Sequence, residues 1–100
     1  MFVHAVYFSL RSDLPDAQRD TFVAWLPKLC AIPSVHAGYF GVPADTDRAV
    51  IDRAYSHALV LLFDTAAAEQ AYQVHPVHDQ FRAECGALWT HVRIFDSVSA

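Results

Sequence analysis

The spacing of hydrophobic positions changes several times along this chain, and each change marks an element. From Phe2 to Leu10 aromatic and β-branched side chains dominate, and Ser12-Asp13 supplies a turn after them, which reads as a strand. From Ala17 to Cys30 the period becomes helical, with Phe22, Trp25, Leu26 and Leu29 falling on one face. Ser12 or Asp13 offers an N-cap, and Pro15 is tolerated in the first turn. Ile32-Pro33 ends this helix, because the residue before a proline is pushed out of the helical region. Val35 to Val42 reads as a second strand, with Gly38 and Gly41 marking a bulge or bend. Pro43 to Arg53 has little periodicity and reads as a surface loop. Tyr55 to Phe63 is the clearest strand. Asp64 then caps a helix that starts at Thr65 and runs through Ala66, Ala67, Ala68, Glu69 and Ala71. His75-Pro76 interrupts it. A shorter helical piece resumes to Cys85 with Gly86 as its C-cap, and Leu88 to Phe95 forms the last strand.

The order strand, helix, strand, strand, helix, strand defines an α+β chain. Right-handed crossovers turn two βαβ halves into one four-stranded antiparallel sheet with the helices on one face. One hundred residues fit a single domain, spanning 1–100. In the first strand Phe2, Val6 and Phe8 point one way, and Val3, Ala5 and Tyr7 the other. In the third, Leu59, Leu61 and Phe63 oppose Ala58, Val60 and Leu62. Both faces of the central strands are therefore apolar, and helices can cover only one. A bare second face would exceed the roughly 300–600 Å² apolar patch typical of a soluble monomer. A second copy of the chain is the simplest cover, so a homodimer through the sheet face is expected.

Composition narrows the partners. The chain is 54% hydrophobic and 18% charged, which excludes disorder. Its net charge is −4 and its six Arg and one Lys are scattered, which argues against nucleic acid as a partner. The longest apolar run, Ala58 to Phe63, is far below the roughly 20 residues of a membrane helix. The opening Met-Phe-Val-His lacks a basic region, so no secretory signal is expected. Cys30 and Cys85 are too few and too far apart for a zinc motif or a disulfide framework. Two reduced thiols in a cytoplasmic protein are the expectation.

Three segments carry a family resemblance. Val3-His4-Ala5-Val6-Tyr7-Phe8 is similar to the opening strand of the stress-responsive A/B-barrel (Dabb) family. Ala71-Tyr72-Gln73-Val74-His75-Pro76-Val77-His78 resembles that family's Tyr-x-x-His-Pro-x-His signature, the most specific of the three. Trp89 through Ile94-Phe95-Asp96 is similar to its closing strand. The resemblance implies a ferredoxin-like βαββαβ subunit whose sheet pairs with that of a second subunit to close a dimeric α/β barrel. Its histidine pattern, His4, Tyr55-Ser56-His57, Tyr72, His75 and His78, resembles that of polyketide-cyclising members. By that resemblance Tyr72 and His78 form an acid/base pair. By the same resemblance His4 and His57 would line or support the pocket of a small-molecule ligand. Phe81 and Trp89 are candidates for the same lining, although Trp25 and Trp89 read first as fillers of core and interface space.

The chemistry these residue types allow agrees with that reading. An imidazole titrates near neutral pH and suits proton transfer. Tyr72 and His78 would lie on different faces of an unbroken helix, and the break at Pro76 is what can bring them together. A tyrosine hydroxyl beside an imidazole can take a proton next to a carbonyl and stabilise the enolate, with neither metal nor cofactor. Cyclisation, dehydration and isomerisation all fit. The plainer alternative makes His75-Pro76-Val77-His78 a helix-breaking corner whose imidazoles satisfy freed backbone carbonyls, and it is preferred for His75. His4, His57 and His78 show no zinc-site spacing, and Asp45, Asp47 and Asp52 lack the glycine and glutamate of a calcium loop. His36 and His91 read as structural or exposed. Two functions from different classes remain. One is a cofactor-independent lyase- or isomerase-like protein for an apolar carbonyl compound. The other is a non-catalytic, stress-related protein acting as a stable oligomer. A monooxygenase on the same barrel is a third reading, and no motif selects it.

Overall fold

A computed structural model describes residues 1–100. Four strands and three helices follow in the order β1 (Phe2–Leu10), α1 (Asp16–Cys30), β2 (Ala37–Gly41), β3 (His57–Phe63), α2 (Ala66–Gln73), α3 (Pro76–Cys85) and β4 (Trp89–Val98). The sheet order is β2-β3-β1-β4, with every pairing antiparallel. This is the ferredoxin-like α+β fold, with β1 and β3 at its centre as the apolar patterning required.

The two faces of the sheet differ as the alternation demands. His4, Val6, Phe8 and Leu10 of β1 and Leu59, Leu61 and Phe63 of β3 are buried beneath the helices. On the opposite face Val3, Ala5, Tyr7, Val60 and Leu62 are only half-buried. Tyr39 and Phe95 stand 59% and 53% exposed. The 42–56 loop folds over one end of this open face. There the Tyr55 ring meets Tyr7 at 5.0 Å, and the Arg93 guanidinium donates to Asp52 at 2.8 Å.

Element ends show where local chemistry was misjudged. The first helix begins at Asp16 with Pro15 as N-cap and no side-chain cap, while Asp13 is held by the Arg11 guanidinium instead. The second helix is capped by Thr65 rather than Asp64: its Oγ1 accepts from the Ala68 N–H at 3.1 Å. A threonine at this position reaches the amide three residues on, and Asp64 lies one residue too early to do so. Asp64 instead faces His36 at 3.2 Å. Gly86 does end α3, but in right-handed backbone, φ −59°. Its lack of a Cβ matters for another reason: a Cβ would sit 2.6 Å from the Arg82 carbonyl oxygen.

Under the sheet, Phe22, Trp25, Leu26 and Leu29 of α1 form the core with β3 and α3. The Trp25 indole N–H donates to Glu84 of α3 at 2.8 Å, tying the two helices together. Both cysteines are free thiols, raised by burial and so protonated at neutral pH. No helix is long and apolar enough to cross a membrane.

Candidate functional site

A cavity of about 370 Å³ opens between the β1–β4 side of the sheet and the α2–α3 pair. That size falls within the roughly 300–1,000 Å³ of small-molecule sites. The sheet supplies His4, Val6 and Phe8 from β1, Leu59 from β3, and Trp89, Val92 and Ile94 from β4. The helices supply Tyr72, Gln73, His78, Phe81 and Arg82. Of the residues singled out from the sequence, His4, Tyr72, His78, Phe81 and Trp89 all meet here.

His57 does not join them. It faces the helix side of β3, but the Phe22 ring packs edge-on against it at 5.3 Å. Phe22 also contacts Phe8, Phe81 and Trp89, so it stands between His57 and the aromatic wall of the cavity. The His57 Nδ1 is buried without a partner, and burial, then Arg19, makes the ring harder to protonate.

Trp89 reaches the cavity because of an irregularity in β4. From Phe2 to Ser9 the β1–β4 register is continuous, pairing His4 with Asp96, Val6 with Ile94 and Phe8 with Val92. Between Ser9 and Leu10 it shifts, so that Leu10 pairs with Trp89 rather than Thr90. A shift of one residue exchanges the faces of a strand. Without it Trp89 would point to the open face.

The break between α2 and α3 sets the other wall. His75 is the N-cap of α3 and its Nδ1 accepts from the Val77 N–H at 3.1 Å, with Pro76 at the first helical position. It therefore serves an amide, not the carbonyls expected at the corner. The new helix direction brings His78 against Tyr72, ring centroids 4.9 Å apart and edge-to-face. The Tyr72 ring continues the series to His4, at 6.0 Å. No hydrogen bond joins Tyr72 to either imidazole, so both polar edges remain available to a third group.

Electrostatics separates these three side chains. Burial, with Cys30 and Glu69 nearby, holds the Tyr72 hydroxyl well above the usual phenol range, so it stays protonated at neutral pH and keeps a hydrogen to donate. Burial first and the Arg82 guanidinium second make His78 harder to protonate, outweighing Asp79 and Glu69, so its ring is a neutral base at pH 7. Its Nδ1 is buried and unpartnered. His4 is fixed differently: its Nδ1 lies 2.6 Å from Asp96 Oδ1. A carboxylate only accepts, so Nδ1 carries the hydrogen of this contact and Nε2 is the ring nitrogen left free.

The sequence reading missed Asp96, Glu69, Gln73 and Arg82. Asp96 lies opposite His4 only through strand register. Glu69, 5% exposed, accepts from Gln73 Nε2 at 2.8 Å. Gln73 and Arg82 had a readable signal, since they follow Tyr72 by one residue and His78 by one helical turn.

The fold and this site define a class, the ferredoxin-like α+β chain with a ligand-sized cavity beneath one side of its sheet. Residues 2–99 match the model of the Stress responsive A/B Barrel Domain, and the chain belongs to that family, Dabb. It is 24% identical over 94 residues to olivetolic acid cyclase of Cannabis sativa, covering 93% of this chain and 91% of that protein. Its structure is similar to hydroxynitrile lyase from Passiflora edulis, with TM-score 0.80 and 22% identity, covering 99% of this chain and 93% of that one. It is also similar to a dimeric ferredoxin-like protein from Thermobifida fusca, with TM-score 0.78 and 23% identity, covering 98% and 90% of the two chains.

Proposed function

We propose that this Dabb chain works as a homodimer whose cavity binds a small, largely apolar carbonyl compound and moves a proton on it, as a lyase, isomerase or cyclase does. The observation that carries this reading is the row His4, Tyr72, His78, which runs from the sheet to the helices across a mainly apolar cavity with ring spacings of 6.0 and 4.9 Å. In the proposed step the neutral His78 imidazole takes a proton from the carbon next to the carbonyl. The electron pair moves onto the carbonyl oxygen, where the Tyr72 hydroxyl donates a hydrogen bond to the developing enolate. Return of the proton, or bond formation or loss at that carbon, completes the turnover. Lyase and cyclase relatives in the same fold support the reading.

The homodimer is supported by the half-buried apolar side chains of the open sheet face and by structural neighbours described as dimeric.

Deuterium exchange tests the chemistry without requiring the natural substrate. Incubated in D2O with 4-phenylbutan-2-one, the wild-type protein should speed exchange beside the carbonyl, as read by proton NMR. His78→Ala should lower the protein-dependent rate about 100-fold or more, and Tyr72→Phe about tenfold or more. A wild-type rate no greater than that of His78→Ala removes the catalytic role.

A further inference from the structure

We propose that the ligand of this cavity carries a carboxylate, and that Arg82 at its rim binds it. The inference rests on the reading of the cavity as a ligand site and adds the charge of what enters it.

The cations of the chain single out this residue. Arg11, Arg53 and Arg93 face the carboxylates of Asp13, Asp45 and Asp52. Arg19 donates to the Arg11 carbonyl at 2.9 Å, and Lys28 lies over the Trp25 ring at 4.6 Å. Arg48, in the 42–56 loop, and Arg82 have no such partner. Only Arg82 lines the cavity.

Its surroundings leave the guanidinium without a carboxylate from the chain itself. The other polar side chains of the cavity wall are His4, Tyr72, Gln73 and His78, with the indole N–H of Trp89, and none of them is an anionic partner for Arg82. Asp96 engages His4 and Glu69 engages Gln73, so both are held by the chain itself. The Arg82 guanidinium keeps five N–H donors in a planar fork whose natural complement is a carboxylate bound through both oxygens. Arg82 follows His78 by four residues on α3, so the two side chains rise from the same helix face about one turn apart. A ligand can thus place its reacting carbonyl between Tyr72 and His78 and its carboxylate at Arg82. Its apolar body would then lie against Phe8, Phe81 and Trp89. The implied class is an apolar keto acid.

A matched pair of probes tests this: 4-oxo-4-phenylbutanoate and its neutral methyl amide, titrated by calorimetry against wild type, Arg82→Gln and Arg82→Lys at low ionic strength. Wild type should bind the carboxylate about tenfold tighter than the amide or more. Arg82→Gln should bring the two to within about twofold, and Arg82→Lys should keep part of the preference. Unchanged amide affinity in Arg82→Gln shows that its cavity is intact. Equal binding of the two probes by wild type, or a preference that survives Arg82→Gln, overturns the carboxylate inference and leaves the ligand site standing. Binding of neither probe by wild type overturns both.

Discussion

His57 and His78 are the residues through which this molecule should feel pH. Both imidazoles are held below the ordinary value of 6.5, each chiefly by burial. The unfolded chain, whose imidazoles keep that ordinary value, therefore binds more protons than the folded one as pH falls below it. Stability must then rise with pH through this window, be complete above about 6.5, and be lost as the solution is acidified. Thermal unfolding should show a falling midpoint from pH 7 to pH 5. His57→Gln, which cannot titrate, should lose less over the same interval. Equal losses in the two proteins would remove His57 from the linkage. The same depression of His78 places the acid limb of any proton-transfer activity below 6.5, because only the neutral ring is a base. His78 and Tyr72 could be singled out from the sequence as candidates, since their chemistry is intrinsic and their motif is local. Asp96 was not, because its meaning comes from lying opposite His4, ninety-two residues away along the chain.

At the scale of elements, the α2–α3 corner decides the site. Pro76 can begin a helix but not continue one, and His75 completes the start by accepting the Val77 amide. Its role is thus a cap that aims α3, which in turn presents His78, Phe81 and Arg82. His75→Ala should cost about 1 kcal/mol in urea unfolding, while His75→Asn, a good capping residue, should keep most of the stability. If the two variants are equally destabilised, the cap is not what His75 contributes. The second element that matters is β4. Its hydrophobic pattern marked a strand, yet a simple alternation would send Trp89 away from Val92 and Ile94. The register shift beside Ser9 corrects this, and nothing in the local sequence announces it.

At the scale of the whole molecule, the proposed homodimer turns on the open sheet face. Val60 sits at its centre, on β3 and paired with Ala5, with Tyr39 on the neighbouring strand. Val60→Glu places a charge where a second sheet would pack, a cost no partner in an apolar interface offsets. The side chain lies away from the cavity, so the monomer should still fold and still bind ligand. Sedimentation should show a dimer for wild type and a monomer for Val60→Glu. A variant that remains dimeric locates the interface elsewhere.

By itself the sequence determined the elements, their order and the two-sided apolar character of the central strands, because periodicity of 2 or 3.6 is written locally in side-chain type. The same holds for the Tyr72–His78 segment and for the placement of Trp89 on the last strand. Only the tertiary structure decided which of these residues share a space. It brought His4, Tyr72, His78, Phe81 and Trp89 to one cavity and set His57 behind Phe22. It also added Asp96, Gln73 and Arg82. The physical reason is that strand register and helix direction are set by contacts between distant segments, and a single-residue shift or one capped corner changes every side chain that follows.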